Sequence, residues 1–172
     1  MVQPPLPNSY WVVPGRLLAG EHPFGEDPGD AHDRLARLRE AGIDSFIDLT
    51  EVGERPNYRL VLPRQAEYLR FPIRDREVPR DAAQMRELQA RIRAALANGR
   101  KIYIHCRAGI GRTGVAVGCF LADSGLDGKA ALKELNRLWR QSARSEAWPK
   151  VPQTPEQAEY ITRWAQLQKS QK

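Results

Sequence analysis

Residues 102–114 read Ile-Tyr-Ile-His-Cys-Arg-Ala-Gly-Ile-Gly-Arg-Thr-Gly. This stretch decides the local fold around Cys106 and Arg112, the two residues that say most about function. The apolar, β-branched residues before Cys106 predict a short buried strand, and the apolar residues after Arg112 predict a helix. Between them, Gly109 and Gly111 allow a tight loop whose backbone can approach a ligand with no Cβ in the way. The stretch therefore predicts a strand, a loop and a helix N-terminus in direct succession.

A loop of this kind at a helix N-terminus is suited to hold an anion. Its N–H groups and the helix dipole attract a phosphate group, and the same field stabilises a cysteine thiolate. Arg112 offers a planar fork of donors that can bind two phosphoryl oxygens at once. We therefore predict that Cys106 is a nucleophile towards a bound phosphate. The predicted substrate-binding residues are those of the loop: Arg107, Ala108, Gly109, Ile110, Gly111 and Arg112.

The motif His-Cys-x5-Arg-Thr-Gly resembles the phosphate loop of cysteine-dependent protein tyrosine and dual-specificity phosphatases. It is carried here by His105-Cys106 and Arg112-Thr113-Gly114, and the resemblance spans roughly residues 10–168, nearest to the small, kinase-associated type. It implies a phosphocysteine intermediate, with His105 holding the loop and Thr113 donating to the sulfur. Without the resemblance, His105 is explained as a buried imidazole and Thr113 as a first-turn helix residue. Cys106 is then explained as a buried structural thiol. That last alternative leaves the loop glycines unexplained.

A second segment, Phe71-Pro72-Ile73-Arg74-Asp75-Arg76-Glu77-Val78-Pro79, supplies a candidate general acid. Expelling an oxygen leaving group requires a proton donor on the side opposite the sulfur. The Pro-x-x-Asp sequence resembles the general-acid loop of dual-specificity phosphatases, which implies that Asp75 protonates the leaving group and later activates water. Asp75 could instead be a turn residue paired with a neighbouring arginine. Glu77 and Asp81 are rival carboxylates, although Asp81 is well explained as a helix cap.

Residues 151–157 resemble the segment of tyrosine-specific phosphatases whose glutamines position the hydrolytic water. Local structure explains much of the same segment, because Thr154 can cap a helix, Pro155 suits its first position and Gln157 can close a capping box. Gln153 is not used by that cap, so it is the better candidate for positioning water. The choice between the two glutamines remains open.

Two departures from the family bear on the substrate. Asn57-Tyr58-Arg59 resembles only faintly the tyrosine-bearing segment that deepens the pocket of tyrosine-specific members, and Tyr58 is also explained as a packed aromatic. Ile110 stands where tensin-like phosphoinositide phosphatases have a lysine, although Arg107 keeps one cation. The resemblance thus implies a dual-specificity or tyrosine phosphatase acting on phosphorylated protein. The alternatives are an inositol-phosphate or phosphoinositide phosphatase and, in another class, a phosphate-binding module without turnover.

Composition and charge argue against a membrane-spanning or a nucleic-acid-binding protein. The chain has 172 residues, 41% hydrophobic and 28% charged, which is typical of one soluble domain. We expect a loose tail at residues 1–9 and a single phosphatase domain at residues 10–172. The longest apolar run, residues 114–122, is too short to span a bilayer. The net charge of +6 favours anionic partners, but no dense basic run with interleaved aromatics predicts nucleic-acid binding.

The remaining cysteine and histidines predict no disulfide and no metal site. Two cysteines do not make a disulfide framework, and Cys119 is expected in the core. His22 and His32 lack ligand spacing and are expected at the surface. No metal or other cofactor is expected, because Arg112 and the loop amides can neutralise the phosphate charge. A nucleophilic thiolate and the absence of a secretory signal favour the cytoplasm.

Strands that alternate with helices predict an α/β fold with a central mixed, largely parallel sheet flanked by helices on both sides. In such sheets ligands bind beyond the carboxyl ends of the strands, which is where Cys106 falls. The predicted hairpin covers residues 10–13 and 16–19, and further strands are predicted at 43–49, 68–73 and 101–105. The predicted helices cover residues 30–41, 82–97, 112–123, 127–140 and 155–168.

Overall fold

The structure is a computed structural model that describes residues 2–170. Its strands are β1 Ser9–Val13, β2 Leu17–Gly20, β3 Ser45–Asp48, β4 Glu67–Arg70 and β5 Ile102–His105. Its α-helices are α1 Ala31–Glu40, α2 Ala82–Ala97, α3 Arg112–Asp123, α4 Gly128–Trp139, α5 Pro155–Thr162 and α6 Trp164–Lys169. Short 3₁₀ turns lie at Pro28–Asp30, Arg59–Val61 and Ala143–Ser145.

The strands form one mixed sheet in the order β1-β2-β5-β3-β4. β1 pairs antiparallel with β2, and every other pair in the sheet is parallel, which confirms the predicted fold class. The carboxyl ends of β5, β3 and β4 therefore lie side by side. The chain stays in register just beyond them, since Leu49 N donates to His105 O at 2.9 Å and Phe71 N to Asp48 O at 2.8 Å. The segments that follow these three strands are thus neighbours at one edge.

A separate hydrophobic core covers each face of the sheet, because successive strand residues point to opposite sides. Ile102 and Ile104 of β5 pack with buried residues of α2 to α6. Tyr103, between them in sequence, packs on the other face with Leu38 of α1. Helices on both sides of the sheet are therefore confirmed, and Cys119 lies in the larger core as predicted.

Two expectations about the chain ends are wrong. Within the predicted tail, Leu6 is 1% exposed, Ser9 belongs to β1, and the Ser9 hydroxyl donates to Leu6 O at 2.7 Å. The helix predicted over residues 155–168 is interrupted at Arg163. The interruption places Trp164 fully inside the core, where its indole N–H donates to Asp123 at 2.8 Å.

The surface position expected for His22 is also wrong. Its side chain is 1% exposed and packs edge-on against the rings of Phe24, Tyr58 and His105, with centroids 5.5, 5.3 and 5.2 Å away. Burial among these rings lowers the pKa of His22 to about 3, so it packs as a neutral aromatic ring. None of the helices within residues 2–170 combines the length and the hydropathy that a membrane span requires.

Candidate active site

The phosphate loop, residues 106–112, joins the end of β5 to the start of α3, so the predicted succession of strand, loop and helix is confirmed. Cys106 is 3% exposed and Arg112, the first residue of α3, is 1% exposed. Gly111 is the N-cap of α3 and provides no side-chain cap for the first turn. The helix N-terminus therefore keeps its free donors and positive dipole end towards the loop.

The backbone of the loop presents its N–H groups and not its carbonyl groups. From Arg107 to Gly114, no backbone N–H donates to an acceptor within residues 2–170. The loop carbonyls, in contrast, are bound from outside: Arg107 O accepts from His22 N at 3.1 Å and Ala108 O from Arg144 Nη1 at 2.7 Å. With these two carbonyls bound by groups outside the loop, the N–H groups of the loop stay free for an anion, as the sequence predicts.

Close packing of Gly109 against β2 keeps the loop in this form. Gly109 has a φ of 75°, which favours glycine. A Cβ there would lie 2.5 Å from the carbonyl carbon of Gly20, so even alanine does not fit. Nearby, Glu21 is buried and bonds both Arg144, at 2.9 Å, and Arg34, at 2.7 Å. Glu21 thereby fixes Arg144, the arginine that bonds Ala108 O of the loop.

Arg112 is positioned by carboxylates. Its Nη1 and Nη2 donate to the two carboxylate oxygens of Glu54 at 2.9 and 2.6 Å, Nη1 also donates to Ile73 O at 3.0 Å, and Nη2 lies 3.2 Å from Asp75 Oδ1. Its Nε is buried and has no acceptor among the described residues. Glu54 therefore occupies the end of the guanidinium, and the edge that includes Nε remains as the donor for a phosphoryl oxygen.

Glu54 is a site residue that sequence reasoning missed. It lies 58 positions before Arg112, in the segment after β3, and no motif in that segment marks it. Burial raises the pKa of Glu54, but the hydrogen bonds from Arg112 and from Glu51 N outweigh burial and hold the pKa below its usual value. The carboxylate is thus charged and fixes the guanidinium by a bidentate ion pair.

His105 lies behind the loop, fully buried, as a satisfied imidazole. Its Nδ1 is 3.0 Å from Cys106 O, and its Nε2 is 2.6 Å from the Tyr58 hydroxyl. Because a carbonyl only accepts, Nδ1 carries the proton and Nε2 accepts from Tyr58. Burial lowers the pKa of His105 despite the nearby charge of Asp48, which favours this neutral ring. The contact with Cys106 O holds the loop, and the packed position of Tyr58 is confirmed.

The acid loop, residues 72–79, follows β4 and brings Asp75 to the phosphate loop. The Asp75 side chain is 56% exposed and contacts Arg112, and the structure gives it no ion pair with Arg74 or Arg76. The rival carboxylates are engaged elsewhere: Glu77 lies 3.8 Å from Arg74, and Asp81 caps α2 by accepting from Gln84 N at 2.8 Å. Of the three candidates, Asp75 is the one that the fold brings to Arg112.

Thr113 and the two glutamines also lie at the loop. Thr113 Oγ1 is buried and has no hydrogen-bond partner within residues 2–170, Cys106 Sγ included, so its donation to the sulfur stays a prediction. Gln157 closes the predicted capping box with Thr154, and its Nε2 donates to Glu77 O at 3.0 Å. The side-chain Oε1 of Gln153 would lie 3.1 Å from a Cβ on Gly111, so this side chain borders the loop. It makes no hydrogen bond to a described residue. Gln153 stays the better prediction for positioning water.

Comparisons with known proteins agree with this geometry. Residues 6–162 match the family described as Swiss Army Knife protein, DSP-PTPase phosphatase domain. A candidate tyrosine phosphatase, 067L of Invertebrate iridescent virus 3, is 33% identical over 109 residues, 62% of this chain and 44% of that protein. The related 197R of Invertebrate iridescent virus 6 is 29% identical over 57% of this chain and 37% of its own length. The chain thus matches less than half of the length of these curated relatives.

Solved structures show the same fold. The crystal structure of Tk-PTP in the active form is 26% identical, with a TM-score of 0.73, and the match covers 93% of this chain and 97% of that chain. A kinase associated phosphatase with serine at its catalytic cysteine is 20% identical, with a TM-score of 0.70 over 92% of this chain and 93% of that chain. Together with the match over residues 6–162, the arrangement of Cys106, Arg112 and Asp75 leads to one conclusion. This chain belongs to the dual-specificity and tyrosine phosphatase family, in the Swiss Army Knife group.

Proposed function

We propose that the protein is a phosphomonoester hydrolase that acts on phosphorylated protein through a phosphocysteine intermediate. The observation that carries the proposal is the run of backbone N–H groups from Arg107 to Gly114, which leads from Cys106 into the N-terminus of α3 and has no acceptor within residues 2–170. Free donors of this kind bind a phosphoryl dianion and stabilise the equatorial oxygens during in-line transfer. Arg112 Nε adds a further buried donor to the same site.

In the first step the Cys106 thiolate attacks phosphorus, and the bond from phosphorus to the leaving oxygen breaks. The Asp75 carboxylic acid gives its proton to that oxygen, so the product leaves as an alcohol or phenol. In the second step a water molecule, oriented by Gln153, attacks the phosphocysteine and gives a proton to the Asp75 carboxylate. The S–P bond breaks, inorganic phosphate is released, and Thr113 donates to the returning thiolate.

Substitution of the nucleophile tests the proposal. Cys106→Ser is expected to abolish hydrolysis of aryl phosphates and phosphopeptides, because the serine hydroxyl is not ionised at neutral pH. The fold is expected to be retained, since serine is close in size to the buried cysteine. Hydrolysis by the wild type should continue in EDTA, because Arg112 and the loop amides supply the positive field. The matched control is Cys119→Ser, which changes the other cysteine and leaves the loop intact.

The proposal fails if the serine variant keeps turnover, or if the folded wild type hydrolyses no phosphomonoester. A panel of phosphotyrosine and phosphothreonine peptides, inositol phosphates and aryl phosphate, compared by kcat/KM, identifies the substrate class. The proposal also includes a reducing compartment such as the cytoplasm, because oxidation of Cys106 would remove the nucleophile.

A further inference from the structure

A groove outside the catalytic loop lies between α4 and the segment that leads into α5. One wall is a single face of α4 and its C-cap, since Lys129 and Lys133 of the helix and the C-cap Arg140 follow the spacing i, i+4 and i+11. Lys150 belongs to the opposite wall, and Leu132 is among the apolar residues between them. We call this the basic groove, and its cavity measures about 640 Å³.

The charges of the basic groove have no partners in the part of the chain that the structure describes. Lys129, Lys133, Arg140 and Lys150 are exposed, and within residues 2–170 none of these side chains forms an ion pair or a hydrogen bond. No aspartate or glutamate is among the described residues that line the groove. The acidic residue of α4, Glu134, is engaged by Arg137 at 2.6 Å and lies outside the lining. Four cations therefore face one concave surface without compensation.

The groove is rigidly built and reaches the catalytic loop. Asn136 of α4 donates to Val151 O at 2.8 Å and accepts from Val151 N at 3.0 Å, which fixes one wall to the other. Pro152 then packs on α3, where its Cβ is 3.1 Å from the position that a Cβ on Gly114 would occupy. Gln153 lines the groove and also borders Gly111 of the phosphate loop. The groove thus reaches the phosphate loop at Gln153.

We propose that the basic groove binds an acidic segment of the protein substrate adjacent to its phosphorylated residue. This inference rests on the proposed function, because it assumes that a phosphorylated side chain occupies the loop. Charge complementarity carries the argument, since unpaired cations attract carboxylates and set specificity among substrates. The apolar residues between the walls, among them Leu132 and Ala158, provide contact for the stems of the substrate side chains.

The length of the groove favours an extended peptide over a compact polyphosphate. At about 1.5 Å per residue, the Cα atoms of Lys129 and Arg140 are roughly 16 Å apart along α4. An extended peptide of five residues covers about the same length, so its successive carboxylates can meet successive cations. A small phosphorylated ring bound beside the loop would cover only part of that length and meet fewer of the four cations.

Charge reversal with matched peptides tests the inference. The peptides carry one phosphotyrosine with four glutamates, four lysines or four serines placed before or after it. The wild type is expected to favour an acidic peptide over the neutral one by about tenfold in kcat/KM, because each exposed ion pair changes binding by about 1.5- to 5-fold. The preference should weaken as ionic strength rises.

The variant K133E/K150E is expected to reverse the order, so that a lysine peptide becomes the better substrate. The control R39E/R64E changes the same amount of charge at two exposed arginines that form no ion pair within the described part of the chain, on α1 and before β4. It should keep the preference for the acidic peptide. Hydrolysis of a small aryl phosphate by each variant reports an intact catalytic loop.

The outcomes separate the two proposals. If the wild type hydrolyses neither aryl phosphate nor any peptide, the proposed function fails. If it hydrolyses all peptides equally, or if K133E/K150E keeps the acidic preference, the groove proposal alone is overturned. A loss confined to inositol polyphosphate hydrolysis in K133E/K150E also overturns it, in favour of a compact ligand.

Discussion

In the phosphate loop Cys106 and Arg112 are 3% and 1% exposed, whereas in the acid loop the side chain of Asp75 is 56% exposed. The phosphate loop is fixed from several sides, by His22 and Arg144 on its carbonyls and by the close packing of Gly109 on β2. Among the described residues, Asp75 has one ion-pair partner, Arg112 itself. The phosphate loop is therefore held in place by burial and several contacts, whereas the acid loop holds Asp75 at the surface.

The difference follows from what each half does in the proposed reaction. A site that stabilises transferred charge acts best when its donors are oriented before the substrate arrives, and orientation is achieved by burial and multiple hydrogen bonds. A group that takes a proton from water and gives it to a leaving group has to remain in contact with solvent. Substitutions in the buried loop should therefore affect all substrates, while substitutions at Asp75 should discriminate among leaving groups.

Apart from loss of the nucleophile itself, the largest effect is expected for Arg112→Lys. Lysine keeps the positive charge, but it cannot bind both Glu54 oxygens and also present a donor edge to the phosphate. We expect kcat/KM to fall by about 10³-fold, the upper range for loss of one preorganised donor, for good and poor leaving groups alike. Steady-state kinetics on a series of aryl phosphates measures this.

Arg80→Lys is the matched control, because the Arg80 side chain is 87% exposed and lies beside the acid loop. Its rates should stay within about twofold of the wild type, as expected for an exposed surface substitution. Rates for Arg112→Lys that approached those of the control would show that the guanidinium geometry is not used, and the contrast between the loops would lose its basis.

A smaller and selective effect is expected for Asp75→Asn. Asparagine cannot donate the proton, so kcat for phenyl and alkyl phosphates should fall by about 10²-fold, while kcat for activated nitrophenyl phosphates should change much less. The melting temperature should hardly change, because the side chain is largely exposed. Glu77→Gln is the control within the same loop. If Glu77→Gln shows the dependence on the leaving group and Asp75→Asn does not, the acid is Glu77.

The same contrast explains how much the sequence could predict. The phosphate loop is encoded locally, since the glycines, the cysteine and the arginine lie within residues 102–114 and create the anion site by backbone geometry. The alternation of strands and helices along the chain also predicts a sheet covered on both sides, and the structure has Ile102 and Ile104 in one core and Tyr103 in the other. Local patterns of this kind account for the fold class and for the predicted position of Cys106.

What the sequence could not predict depends on contacts between distant segments. Glu54 and Tyr58 reach the loop because β3 lies between β5 and β4 in the sheet, an order that no motif encodes. Arg144 bonds both Glu21 and Ala108 O, although Glu21 and Arg144 lie near opposite ends of the chain. The prolines of residues 1–9 predict a loose tail, but Leu6 packs in the apolar cluster that includes Leu18 of β2.

The smallest of these effects is expected for Glu54→Gln, which tests whether the buried loop depends on its carboxylate support. Glutamine can accept from only one Nη of Arg112, so the guanidinium loses its bidentate partner. We expect kcat/KM to fall by about tenfold for all leaving groups, in contrast to the selective loss at Asp75. Glu51→Gln, an exposed neighbour without a side-chain contact to Arg112 within residues 2–170, should behave as the wild type.

Acid stability provides a second measure of the same ion pair. The pKa of Glu54 is lower in the folded protein than in an unfolded chain, so its charge stabilises the fold above the ordinary glutamate pKa of about 4.3. This contribution is lost as the pH falls through the lowered folded-state pKa. The melting temperatures of the wild type and Glu54→Gln should therefore converge as the pH falls from 6 to well below the ordinary glutamate pKa. A constant difference over that range, together with unchanged kcat/KM, would mean that burial and Ile73 O hold Arg112 without the carboxylate.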